Sequence, residues 1–267
     1  MGDEDRGEAG GARCFERPDD SGKRIAIDNA DGFDTESLGD LEQFLRRLTR
    51  LLPDDQSFIL LGYDPEAAKV TIDDLADDVF RVIDQHLNSR ADVVGISYGC
   101  VVASRLAMRS PQSIGKLVLI TSAPWFSHEG KRRLKRQIDL IDTGDLNALL
   151  RDFTSMFRSP WLNLLARLRV RLGGKRIVQK LGKADVIRRY LEAMLESDPP
   201  VDSSAFQRTP TIVVGGSRDQ FFAEAMAEAH VSTPDIETSI FENETHMVPI
   251  ERAKEVKQII SDFFSSR

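Results

Sequence analysis

At 267 residues the chain fits one large α/β domain or two small ones, a single domain with an insertion suiting it best, and a composition 41% hydrophobic and 30% charged excludes the disordered and membrane classes. No stretch approaches the roughly 18 continuous apolar residues of a spanning helix. Met1 to Gly11 is acidic and Gly-rich, without the basic start or apolar run of a secretory signal, so the expectation is a cytoplasmic protein. Two cysteines, Cys14 and Cys100, offer neither a disulfide framework nor a zinc spacing, and no metal is expected. The net charge of −7 conceals an asymmetry: Lys131 to Tyr190 holds sixteen Lys or Arg against five Asp, so this segment carries +11 and the remainder −18.

Residues 1–22 are polar and lack apolar periodicity, and they read as a flexible tail. Arg24 to Asp28 reads as a short strand, followed by a loop from Asn29 to Phe33 and a helical pattern through Leu41, Phe44, Leu45, Leu48 and Leu52. Phe58 to Leu61 is a continuous apolar run ending at Gly62, the mark of a strand buried on both faces. Thr71 with Asp74 three residues on predicts a capped helix whose stripe is Ile72, Leu75, Val79 and Ile83. A strand at Ala91 to Val94, a helix from Val101 to Met108 and a strand at Lys116 to Ile120 continue the alternation. From about Trp125 to Pro200 only helical patterns remain. After Pro210 come a strand at Thr211 to Val214, a helix from Ala223, a strand near Thr238 to Phe241 and a last helix through Val256, Ile259, Ile260 and Phe263. The predicted architecture is a mostly parallel central sheet with helices on both faces, formed by residues 23–124 and 201–267 and interrupted by a helical insertion at 125–200.

Gly95-Ile96-Ser97-Tyr98-Gly99 fits G-x-S-x-G where an apolar strand stops and a helix starts, the setting of a nucleophile elbow. A tight turn there requires neighbours without a side chain, and Gly95 and Gly99 meet that need. The serine opens a helix, whose first N–H groups and dipole favour negative charge, so the Tyr98 N–H is a natural oxyanion donor. A serine hydroxyl needs a base, usually a histidine held by a carboxylate. Of four histidines, His86 and His230 fall within helical patterns and His128 opens the insertion. His246 follows a strand in a polar loop, at the edge where a parallel sheet presents functional groups. Asp219 stands in a Gly-rich turn past the Thr211 strand and is the expected acid. Glu242, Glu244 and Asp235 compete with it.

The order Ser97, Asp219, His246, with a helical insertion between the last two strands before Asp219, resembles the α/β-hydrolase superfamily, and within it the small lid-bearing esterases, thioesterases and lactonases. The resemblance covers residues from about 23 to 267. It implies a sheet of eight or slightly fewer strands, acyl transfer to water through an acyl-serine, no cofactor, and an insertion that acts as a lid. A serine at the elbow speaks against the similar dehalogenase and epoxide-hydrolase branches, which place an aspartate there. One motif departs: most members carry His-Gly after the family's third strand, where this chain has Asn29-Ala30-Asp31-Gly32-Phe33. The second oxyanion donor is then Phe33 or, with the strand ending at Asp28, Ala30.

Within the insertion, Trp161, Leu164, Leu165, Leu168 and Leu172 recur at helical spacing with Arg167, Arg169 and Arg171 between them, and Lys131 to Arg136 forms a second basic cluster. An ordinary amphipathic helix would bury the leucines and solvate the arginines. The surplus of positive charge points further, to an anionic partner docked by Arg132, Arg133, Arg167 and Arg171: an acyl-carrier protein, a coenzyme A thioester or, less favoured, an anionic membrane surface. Nucleic acid is not expected, since no binding motif accompanies the charge. The expected activity is hydrolysis of an ester or thioester. The alternatives are a ligand-binding or scaffold protein of the same fold, or an acyltransferase or cyclase using the same acyl-serine.

Overall fold

Segments four to seven residues long, the inner ones mostly apolar, form the strands of one seven-stranded sheet in the computed structural model, which describes residues 12–15, 24–28, 48–54, 56, 58–63, 70–153, 156–179, 184–197, 204–232 and 236–266. The strands are β1 (Ala12–Phe15), β2 (Arg24–Asp28), β3 (Ile59–Tyr63), β4 (Ala91–Ile96), β5 (Ile114–Ile120), β6 (Thr211–Gly216) and β7 (Ile236–Phe241), ordered β1-β3-β2-β4-β5-β6-β7. The pairings among β2 to β7 are parallel. β1 is antiparallel to β3, from Ala12 opposite Tyr63 to Phe15 opposite Leu60. This corrects the expectation of a tail over the whole of 1–22. An edge strand is held by one neighbour's backbone and needs no apolar run on both faces, so Ala12–Phe15 leaves no periodic trace in the sequence.

Successive strand residues point to opposite faces, and the core divides accordingly. Ile25, Ile27, Val93, Leu117, Leu119 and Val213 pack on one face. Ala26, Val94, Ile96, Val118, Ile120, Ile212 and Val214 pack on the other. Helix α1 (Ile72–His86) covers the first face with the expected stripe, and the Asp74 N–H donates to Thr71 Oγ1 at 3.0 Å as the cap spacing predicted. Helix α2 (Tyr98–Arg109) lies on the same face. The second face is covered by residues 48–52 and by the last helix, through Val256, Ile260, Phe263 and Phe264.

Between β5 and β6 the chain forms only helices: α3 (His128–Asp142), α4 (Leu146–Phe153), α5 (Pro160–Gln179), α6 (Ala184–Glu196) and the short α7 (Ser204–Gln207). After β6 come α8 (Ala223–Ser232), α9 (Val248–Glu251) and α10 (Ala253–Ser265). The apolar stripe of α5 points the opposite way from the ordinary amphipathic arrangement. Val170 is buried against Leu150 and Asn163 bonds the backbone of Phe157, while Trp161, Leu164, Leu165, Leu168 and Leu172 face outward.

Candidate active site

β4 lies inside the sheet, with its last residue, Ile96, paired to Asp28 on one side and Ile120 on the other. The next residue, Ser97, has φ 51° and ψ −112°, a region a non-glycine residue enters at a cost of about 1–3 kcal/mol. Its neighbours explain how the turn closes. A Cβ on Gly95 would meet the Cα and N of Cys100 at 2.7 and 2.8 Å, and one on Gly99 would strike the carbonyl of Ile27. The Ser97 N–H donates to the Ile120 carbonyl at 2.9 Å, and its hydroxyl does not cap α2. That hydroxyl lies 2.9 Å from His246 Nε2.

The register that aligns Ile96 with Ile120 and Val214 also brings the loops after β6 and β7 to the same sheet edge. Asp219 Oδ2 is 2.8 Å from His246 Nδ1, and Asp219 Oδ1 accepts the N–H groups of Phe221 and Phe222 at 2.8 and 3.0 Å. Both oxygens of the carboxylate are therefore committed. A carboxylate at Nδ1 sets the tautomer in which Nδ1 carries the proton and Nε2 accepts one. Phe221 meets the imidazole edge-on with centroids 5.1 Å apart, and Phe222 stacks at 6.2 Å. The backbone N–H of His246 donates to Gln220 Oε1 at 3.2 Å. The loops themselves are tied by Ser217 N–H to the Phe241 carbonyl (3.0 Å) and Arg218 N–H to the Glu244 carbonyl (2.8 Å).

The rivals for these positions lie elsewhere. Glu244 is buried, but its Oε1 takes Arg252 Nε at 2.7 Å and Arg158 Nη1 at 3.2 Å rather than the imidazole. Glu242 accepts the Ser217 hydroxyl at 3.3 Å. Asp235 lies outside the described residues, as do Phe33 and Ala30, the two candidates for the second oxyanion donor. His86 and His128 are exposed at the surface. Tyr98 opens α2, where N–H groups point out of the helix N-terminus. Its ring meets Tyr190 edge-on at 5.6 Å, and burial, reinforced by Tyr190, pushes the phenol well above its usual range. Among the described residues no group of three or more His, Cys, Asp or Glu is placed to hold a metal.

Of the four arginines expected to dock a partner, Arg133 faces inward: it bonds Asp152 Oδ2 at 3.0 Å and the Asp152 carbonyl at 2.8 Å, and lies over the Phe221 ring. The expectation that Arg133 docks a partner is corrected, because its guanidinium braces the insertion against the Asp219 loop. Arg132 pairs with its helix neighbour Glu129, and Arg167 and Arg171 are exposed.

The insertion touches all three loops of the site. At the Ser97 loop the contact is Tyr190 on Tyr98. At the Asp219 loop, the Ser127 N–H and hydroxyl both donate to the Phe221 carbonyl, at 3.2 and 2.5 Å, and Gly130 packs so closely there that a Cβ would strike the same carbonyl. At the His246 loop, Thr245 Oγ1 donates to the Met156 carbonyl and Arg158 pairs with Glu244. Gln220, Phe221, Phe222, Thr245 and Met156 had no sequence signal of their own, since Phe221, Phe222 and Met156 act through backbone groups and ring faces, and Gln220 and Thr245 through single side-chain oxygens that belong to no recognisable motif.

The fold and the site together define an α/β protein whose parallel sheet carries a hydrogen-bonded serine, histidine and aspartate on three loops at one edge. The chain belongs to the alpha/beta hydrolase family, which it matches over residues 25–259. It is 27% identical over 204 residues, 71% of each chain, to a Bacillus subtilis (strain 168) protein named as a candidate 2-succinyl-6-hydroxy-2,4-cyclohexadiene-1-carboxylate synthase. It is 27% identical over 146 residues, 54% of this chain and 55% of the other, to a Rhizobium rhizogenes protein named as a candidate carbamate hydrolase. In structure it is similar to an alpha/beta hydrolase enzyme from a Medee basin deep-sea metagenome library, with TM-score 0.71 at 16% identity over 96% of this chain and 95% of that one.

Proposed function

We propose that the protein is a serine hydrolase that cleaves a carboxylic ester or thioester through an acyl-serine. The observation that carries this reading is the relay itself: Ser97 Oγ 2.9 Å from His246 Nε2, and His246 Nδ1 2.8 Å from Asp219. Ser97 Oγ attacks the acyl carbon while Nε2 takes its proton. The oxyanion so formed is stabilised by the Tyr98 N–H and one donor from the loop after β2. Its collapse expels the alcohol or thiol, which receives the proton back from Nε2. Water, deprotonated by the same nitrogen, then attacks the acyl-serine and releases the acid and the free hydroxyl. The helical insertion acts as the lid that shapes the acyl pocket. The family membership and the relative named for carbamate hydrolysis support hydrolysis of an acyl bond.

A fluorophosphonate probe tests the reading, since an assembled relay displaces fluoride and leaves a phosphonylated Ser97. Wild type should label at Ser97, and Ser97→Ala should lose labelling and turnover of every substrate in a panel of p-nitrophenyl esters, lactones and acyl-coenzyme A, at an unchanged melting temperature. Activity retained by folded Ser97→Ala would overturn the proposal.

A further inference from the structure

The described surface carries seven large apolar side chains that are exposed, and six of them, Trp161, Leu162, Leu164, Leu165, Leu168 and Leu172, stand on α5. Trp161 is 62% exposed and Leu172 81%. Successive helical residues are about 100° apart, so Trp161, Leu164, Leu165, Leu168 and Leu172 share one sector about 100° wide, opposite the buried Val170. The seventh, Ile250, stands on α9, whose Glu251 carboxylate accepts the Arg158 N–H at 3.2 Å two residues before α5 begins. A contiguous apolar patch of this kind on a protein surface marks an interface.

Charge narrows the choice of what covers it. On the helical wheel Arg169 flanks one side of the apolar sector and Arg167 and Arg171 the other, all three exposed, and α5 contains no Asp or Glu. Among the described residues none of the three arginines has an acidic partner. A second copy of α5 against this face would set arginines against arginines with no carboxylate to answer them. An anionic bilayer answers both features: acyl chains receive the Trp and Leu side chains, and headgroups receive guanidinium groups whose stems lie along the apolar boundary. The patch suits a helix lying in the plane of the interface, for no described helix is long and apolar enough to cross a membrane.

We infer that the outward face of α5 docks the protein on an anionic lipid surface. This inference is independent of the reaction proposed for Ser97, and Ser97→Ala protein should bind lipid as wild type does. The test is co-sedimentation of the full chain with vesicles of phosphatidylcholine alone and of phosphatidylcholine with phosphatidylglycerol, read together with tryptophan emission. Wild type should bind the anionic vesicles at least about tenfold more tightly, with a blue shift of emission that Trp161→Phe abolishes. Leu165→Glu with Leu168→Glu should lose that binding while melting as wild type, since both positions are already in water. Arg167→Glu with Arg169→Glu and Arg171→Glu should remove the preference for anionic vesicles, as should raised salt. Failure of wild type to bind anionic vesicles at low salt overturns the inference, and so does wild-type binding by the double Leu variant. A dimer in light scattering that Leu168→Glu converts to monomer, without vesicle binding, would assign the face to a second copy instead. Binding to acyl-carrier protein but not to vesicles would assign it to a protein partner.

Discussion

In β5, Leu117 to Ile120 is buried on both sides of the sheet, each residue facing a helical layer, whereas in α5 Trp161, Leu165, Leu168 and Leu172 leave the core side of the helix to Val170 and face outward. Both stretches are rich in leucine and valine. In the strand that composition reports where the core is, because a run of this length is stable only when covered on both faces. In the helix it reports the period and not the direction, because a stripe at 3.6-residue spacing is the same whether it faces the core or the outside. Neighbouring elements decide between the two: on the inner side of α5 Val170 packs on Leu150 and Asn163 bonds the Phe157 backbone.

The contrast is broken most severely at the sheet edge. Asp219→Asn should lower kcat by about 10⁴-fold, since the amide leaves the imidazole in the wrong tautomer, and Glu244→Gln should leave kcat near wild type because Glu244 serves Arg158 and Arg252. Steady-state kinetics on the best ester of the substrate panel measures both. If Glu244→Gln proved the damaging change, the acid would have been misassigned.

The buried and outward leucines provide the next comparison. Leu117→Ala should cost about 2–5 kcal/mol in urea unfolding, because it empties a packed position between two layers, whereas Leu168→Ala should stay within about 0.5 kcal/mol. Comparable losses at the two sites would mean that α5 is packed in solution, by another copy or by a rearranged insertion.

The smallest effect belongs to α1, where Asp78 is a buried carboxylate in an otherwise apolar covering of the sheet, paired to Arg81. Burial raises its pKa above the ordinary carboxylate value, with Arg81 offsetting part of the shift. A raised folded pKa means the ionised form is the disfavoured one, so Asp78 penalises folding above its folded pKa and ceases to do so below the unfolded value, near about pH 4. Asp78→Asn should therefore raise the melting temperature at pH 7, with the gap closing as the pH falls through that range. A melting temperature lowered at pH 7 by Asp78→Asn, with the deficit closing as the pH falls, would show that the Arg81 pairing outweighs the burial.

Much of the site was legible in the amino-acid order because each part answers to a local rule. The strand that stops at Gly95 and the helix that starts after Gly99 define the elbow. Glycine pairs and polar loops after the Thr211 and Thr238 strands locate Asp219 and His246. Parallel order then fixes which sheet edge they share. What stayed hidden depends on contacts between distant segments. The Asp219 carboxylate is held by the N–H groups of Phe221 and Phe222, and every residue but proline offers that donor. The inward turn of Arg133 depends on Asp152 nineteen residues away, and Ala12–Phe15 becomes a strand only because the edge of β3 is open to it.

The three contacts between insertion and site carry a mechanical consequence. A body resting on one support can tilt, but one resting on three at separated points cannot tilt without lifting from at least one of them. The insertion rests on Tyr98, on the Phe221 carbonyl and on Thr245 with Glu244. Swinging it away as a unit would release a support of the nucleophile, of the acid or of the histidine. A movement of the insertion that preserves the relay must therefore be a bending within it, between the points where it stands.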